Sequence, residues 1–277
     1  MKKGIEMKLA RSIGELIVLI RGAGEMASGV AHRLHQSHFK VCMLEIPRPI
    51  AVRREVSFCE AIYEGEKEVE GVRSKFISKP EEILSVWKDG KIPVLVDPDG
   101  EKTRRFIKPD VFLDAIMAKK NLGTHIKKAP LVIGLGPGFY AGKDVNIVIE
   151  TNRGHDLGRL ILKGTAEPDT GIPGNIGGYT LERVLRTMKK GIFHPQKSIG
   201  DRVSKGTVVA VVDDFPVIAK ISGMVRGLIR EGVQVRKGMK VGDIDPRGKR
   251  ESCFTISDKA RAIGGGVLEA ILYWFNK

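Results

Sequence analysis

The sequence predicts an α/β protein with three parts: a parallel-sheet domain over residues 1–193, a small all-β module over 194–250, and a C-terminal helix over 251–277 that packs back on the first domain. Three observations predict it. An apolar, β-branched run at residues 15–21 leads into a glycine turn, a helical stretch and a second apolar run, the order of a βαβ unit. Residues 200–209 and 232–241 both read G-x-x-V-x-K-G-x-x-V, a strand–turn–strand unit written twice. Residues 257–275 carry helical spacing interrupted by Gly264, Gly265 and Gly266, which cost helix stability and so point to close backbone packing.

The first run ends in Arg21 and is followed by Gly22-Ala23-Gly24-Glu25-Met26-Ala27, a G-x-G-x-x-A fingerprint. Gly22 suits the tight turn, Gly24 a close approach to pyrophosphate, and Ala27 close helix–strand packing. A helix over residues 26–36 and a strand over 40–45 follow. Glu45 ends that strand about twenty residues past the glycines, where an acid can hold ribose hydroxyls. The domain is therefore read as Rossmann-like. Glu25 stands against an ordinary dinucleotide site, because a carboxylate at that helix N-terminus repels a diphosphate. Either Glu25 turns away or the crevice serves another purpose.

Beyond Glu45, Arg48, Arg53 and Arg54 form a basic loop, either solvated or suited to bidentate contacts with an anionic ligand. Residues 57–63 and 79–87 read as helices, the second with proline at its start, and 92–97 and 111–115 as strands. Asp97 closes its strand on the ligand-binding side of such sheets, although Asp97-Pro98-Asp99-Gly100 is also turn chemistry. A strand at 131–133 then meets Gly134, Gly136 and Gly138, a candidate nest of backbone N–H groups. Another strand ends in Glu150-Thr151-Asn152-Arg153-Gly154-His155-Asp156, where Arg153 and His155 are candidates for ligand contact. A third glycine loop spans residues 168–178, ahead of a helix predicted near 179–188.

The doubled strand–turn–strand unit resembles the barrel-sandwich fold of biotinyl and lipoyl carrier domains. Those domains carry their cofactor on a lysine at a hairpin tip between the halves. Here the tip reads Asp213-Asp214-Phe215-Pro216, turn chemistry with no lysine, so the fold is expected without the carrier function.

Composition narrows the function classes. The chain has 277 residues and a formal net charge of +14, with its basic residues spread along its length and few aromatics between them. That pattern favours anionic ligands or an acidic partner over nucleic acid. No run is long and apolar enough to span a bilayer, and no signal-length apolar segment follows the basic start at residues 1–6. Cys42, Cys59 and Cys253 have no metal spacing, and His32, His35 and His38 lack ligands to complete a set, so no metal site is expected and a reducing, cytoplasmic setting is.

Six stretches together resemble the YqeB family of accessory proteins of selenium-dependent molybdenum hydroxylases. They are the glycine motif from Arg21 to Ala27, Arg53-Arg54-Glu55-Val56-Ser57-Phe58, Gly134-Leu135-Gly136-Pro137-Gly138-Phe139, residues 150–159, Pro168-Asp169-Thr170-Gly171-Ile172-Pro173-Gly174, and Gly242-Asp243-Ile244-Asp245-Pro246-Arg247. Glu25 departs from the aspartate expected there but keeps the acid. The resemblance implies a maturation factor whose partners are the client molybdenum hydroxylase or its maturation proteins. It implies a nucleotide-bearing ligand such as the molybdenum cofactor in its pterin dinucleotide form, and it carries over no catalytic residue. The alternative is an NAD(P)-dependent oxidoreductase acting on a small anionic substrate, with Glu45 on ribose and His155 as proton donor.

Overall fold

The computed structural model describes residues 12–276; the leader reading at residues 1–6 lies outside them. Nine strands form one sheet: β1 Ile17–Arg21, β2 Lys40–Glu45, β3 Glu66–Val69, β4 Val72–Phe76, β5 Ile92–Val96, β6 Val111–Asp114, β7 Leu131–Leu135, β8 Ile147–Ile149 and β9 Leu160–Ile161. Their order is β3-β4-β5-β2-β1-β6-β7-β8-β9. Alternation along β1 shows why the sheet is covered on both faces. Val18 and Ile20 point into one apolar cluster and Leu19 into another.

Helix α1, Glu25–Gln36, buries Ala27, Val30, Ala31 and Leu34. Four further helices follow: α2 Ala61–Glu64, α3 Ile83–Lys88, α4 Glu101–Ile107 and α5 Asp258–Phe275. The Ser257 side chain caps α5 by accepting from Ala260 N–H. Helix α5 lies against α1 so closely that a Cβ on Gly29 would sit 2.7 Å from Cβ of Ala260. Its glycines face other backbone too: a Cβ on Gly266 would run into the Gly158 carbonyl oxygen.

The first turn of α4 carries a pH-sensitive contact. Glu101 accepts from Arg104 Nη2 and from Lys128 Nζ, both at 2.8 Å, and these bonds hold its carboxyl down to about 2. Its folded pKa lies below its unfolded one, so the stabilisation is complete above the unfolded value near 4.5 and disappears as pH falls toward 2. The side chain is 34% exposed, and solvent screening leaves about 1 kcal/mol. Glu101→Gln is therefore expected to lower stability by that amount at pH 7 and to match the wild type at pH 2, as read from urea midpoints across the series.

Eight further strands complete the chain: β10 Val184–Arg186, β11 Gly191–Pro195, β12 Arg202–Val203, β13 Val208–Val212, β14 Phe215–Ile218, β15 Gly223–Leu228, β16 Gln234–Val235 and β17 Lys240–Asp245. They form two four-stranded sheets, β10-β17-β15-β12 and β14-β13-β11-β16. Phe193, Val209, Val225, Val241 and Ile244 fill the core between them.

This differs from the predicted fold class. The large sheet is mixed, not the expected parallel Rossmann-like one: β3 runs antiparallel to β4, and β9 antiparallel to β8. The β3–β4 hairpin was concealed by its charges, Glu66 facing Lys75, Lys67 facing Ser74 and Glu68 facing Arg73, and it turns through Glu70 and Gly71 at φ 46° and 80°. The barrel-sandwich module of the biotinyl and lipoyl carriers is not found either. Strands of the first repeat unit divide between the sheets, β12 pairing with β15 and β13 with β11 and β14. The helix predicted near 179–188 is absent; its Val184-Leu185-Arg186 is β10, which borders β17. An extended backbone there lets Arg183 bond both Asp243 and the Gly174 carbonyl.

Arginines join the small sheets to the large one. Arg53 Nη2 donates to the carbonyls of Ser252 and Thr255 at 3.1 and 3.0 Å. Arg54 Nε donates to Leu228 O at 2.8 Å. Arg230 Nε donates to Glu60 Oε2 at 2.7 Å while its guanidinium lies 4.6 Å from the centre of the Tyr63 ring.

Candidate ligand-binding cleft

The strand order reverses between β1 and β6, and the loops at their C-terminal ends separate there. Gly22, at φ 102°, turns the chain directly over Ala115, whose carbonyl oxygen would lie 3.1 Å from a Cβ on Gly22. Beside this point opens a cavity of about 680 Å³. One side is the first turn of α1, with Glu25 and Met26, and the loops after β6, β7 and β8, with Met117, Lys119, Pro137 and Arg153. Residues 167–176 cross it. The far wall is Arg183, Arg186, Arg226, Lys240 and Asp243 of the small sheets, and Ser257 and Lys259 close the end at the start of α5.

The lining is strongly basic. Lys119, Arg153, Arg183, Arg186, Arg226, Lys240 and Lys259 face only Glu25, Glu167, Asp169 and Asp243. Arg183 bonds Asp243 through Nη1, and Arg186 donates to Gly238 O at 3.0 Å. Arg153 makes a bidentate pair with Asp258, and those bonds hold the Asp258 carboxyl well below the usual range. Burial lowers the Lys240 ammonium from its ordinary value. It lowers that of Lys259 as well, with Arg153 nearby adding repulsion. Arg226 is buried on the same wall. Its side chain is 9% exposed and its Nε is buried without a hydrogen bond.

Of the residues singled out from the sequence, the structure brings Glu25 and Arg153 to the cavity lining. Glu25 turns toward Arg53, 3.4 Å away, and burial lowers the Arg53 guanidinium from its ordinary value while Glu25 opposes that fall. Gly24 begins α1, and Ala27 is buried beneath it. Glu45 is occupied locally: Oε1 accepts from Ala23 N–H at 2.9 Å and Oε2 from Ile46 N–H at 2.8 Å. Arg54 is held by Leu228, and Asp97 accepts from Thr103 N–H at 2.7 Å, bracing α4. Arg48 and His155 are exposed and do not line the cavity. Gly134 packs under the Phe139 ring, Gly136 against Thr151 and Gly138 against the Lys120 backbone, so this glycine cluster serves close packing.

The residues that sequence reasoning missed are those of the far wall: Arg183, Arg226, Lys240 and Asp243. A signal was present in Lys240-Val241-Gly242-Asp243-Ile244-Asp245. Two acids alternating with apolar residues on one strand require buried cations opposite them.

Among the described residues no group of three His, Cys, Asp or Glu side chains is placed to hold a metal ion. His32, His35 and His38 stay on the α1 side, with His32 Nε2 3.3 Å from Glu70 O. Cys42 and Cys59 are buried, and burial raises both thiols far above their ordinary value. No described helix is long and apolar enough to cross a membrane.

No family model matches the chain. YqeB of Escherichia coli (strain K12), a protein described as uncharacterized, is 48% identical over 269 residues, which is 97% of this chain. The chain is a relative of YqeB. It spans about half of that relative's length, 50%. The match supports the YqeB resemblance carried by the motifs, and it runs through both the glycine motif and the far wall of the cleft.

Solved structures give looser likenesses. An aspartoacylase family protein from Mesorhizobium loti is 15% identical, with a TM-score of 0.28 over 83% of this chain and 85% of that one. A succinylglutamate desuccinylase/aspartoacylase from Rhodobacter sphaeroides is 14% identical, with a TM-score of 0.23 over 53% and 64%.

Proposed function

We propose that the chain is an accessory protein that holds an anionic, nucleotide-bearing ligand in this cleft while a partner enzyme is matured. The observation that carries the reading is the excess of positive charge on a cavity of about 680 Å³, a volume that suits a nucleotide-sized ligand. Seven basic side chains against four acidic ones attract phosphate groups and discourage a neutral substrate. The family resemblance narrows the ligand to the pterin dinucleotide form of the molybdenum cofactor, carried as cargo, and the partner to a selenium-dependent molybdenum hydroxylase or its maturation proteins. Three buried, free cysteines fit a reducing, cytoplasmic setting.

The test is a calorimetric panel of NAD, NADP, FAD, CTP, CDP and purified molybdenum cofactor against the whole chain. The expected result is tight binding of the pterin dinucleotide and none of NAD or NADP. Tight NAD or NADP binding that disappears in Gly24→Val would overturn the reading in favour of a nicotinamide-dependent oxidoreductase.

A further inference from the structure

Two walls of the cleft compete for the ligand's phosphates. In a dinucleotide-binding βαβ unit the phosphates sit on the first helix N-terminus. Here that position is taken by the protein's own Glu25 carboxylate, which lines the cavity at the start of α1. Its pair with Arg53 spans 3.4 Å, which leaves an acid on that wall.

The opposite wall has the reverse balance. Asp243 is bonded by Arg183, which also donates Nε and Nη2 to Gly174 O at 3.2 and 3.1 Å. Arg226 is left with distant neighbours only. Its Nη1 is 3.8 Å from Asp243 Oδ2 and its Nε 3.7 Å from Asp245 Oδ2, both beyond hydrogen-bond reach. Asp245 is already gripped by Arg247 through two bonds of 2.9 and 2.6 Å. A buried guanidinium nitrogen without an acceptor is costly, and the side chain that carries it lines the cavity. Lys240 and Lys259 line the same cavity, and their ammonium groups make no hydrogen bond or ion pair among the described residues.

We propose that Arg226, Lys240 and Lys259 form the seat for the ligand's diphosphate, across the cleft from the glycine turn that the sequence points to. The seat deepens the accessory-protein reading and rests on it for the identity of the ligand. The carboxylates shared among these cations, Asp243, Asp245 and Glu25, are already paired with Arg183, Arg247 and Arg53, which leaves positive charge on the wall that a diphosphate neutralises. Burial depresses both lysines, and a bound anion opposes that fall.

The probe is inorganic pyrophosphate, titrated calorimetrically into the whole chain at low salt. Wild type is expected to bind it, more weakly as salt rises. Lys240→Met and Arg226→Met are each expected to weaken binding at least tenfold. Gly24→Val is expected to stay within threefold of wild type. Lys259→Met, at the α5 end of the seat, serves as a further variant should Arg226→Met fail to fold, and it too should lose at least tenfold. Loss of binding in Gly24→Val with Lys240→Met unchanged overturns the seat, as does a wild type that ignores pyrophosphate. The two readings fail separately. A chain that binds pyrophosphate at the seat but no pterin dinucleotide keeps the seat and loses the accessory role. One that binds the pterin ligand equally well in Lys240→Met keeps the role and loses the seat.

Discussion

Gly266→Ala is expected to destabilise the protein by about 3 kcal/mol, while Gly265→Ala, one residue earlier on the same helix, stabilises it by about 1 kcal/mol. At position 266 the new methyl meets the Gly158 carbonyl oxygen, with the Gly158 carbon at 3.0 Å and Ile149 Cγ2 at 3.2 Å. Backbone cannot yield as a flexible side chain does, so α5 must shift from the loop after β8. The contact interlocks: a Cβ on Gly158 would in turn sit 2.7 Å from Ala262 O. At position 265 nothing lies within 4 Å, and the methyl contributes only its helix preference. Thermal melts of the two variants should move in opposite directions. Equal shifts of the same sign would mean that α5 does not pack in this register.

The other large effect is at Arg21. Arg21→Met is expected to cost about 3–5 kcal/mol, because it leaves the Asp114 carboxylate, 0% exposed, without its cation. Arg21 donates Nη1 to Asp114 Oδ2 at 3.1 Å and to Leu122 O at 3.1 Å, and Nε to Pro98 O at 2.8 Å. It thus joins the ends of β1 and β6 to the loops beside them. Asp114 would retain only Thr124 Oγ1 at 2.5 Å and Ile116 N–H at 3.3 Å. The double variant Arg21→Met/Asp114→Asn removes the unpaired charge and should recover more than half of the loss in urea denaturation. Additive losses would show that the pair is not coupled.

Sequence legibility followed the range of the forces involved. Strands β1, β2, β5, β6, β7 and β8 were readable because each is a short apolar run whose burial is decided locally. Helices α1 and α5 were readable from their helical spacing. The β3–β4 hairpin was not, because its residues alternate in charge and its pairing is decided by cross-strand partners. Strand β10 was misread because Glu182, Arg183 and Arg186 give residues 179–188 a helical look; Asp243, sixty residues away in the chain, draws Arg183 into place. For the cleft, the glycine motif located the right end of the sheet, but the free cations lie on β15, β17 and the start of α5. No local motif reports a charge left over after distant partners have paired.

The arginines that join the small sheets to the large one have a consequence for how the cleft works. Arg53 and Arg54 fasten onto main-chain carbonyls of Ser252, Thr255 and Leu228. A carbonyl has no proton to gain and no charge for salt to screen, so these clasps hold where surface ion pairs relax. These bonds resist widening of the cleft, so selection among anions is expected to fall to the charges that line it.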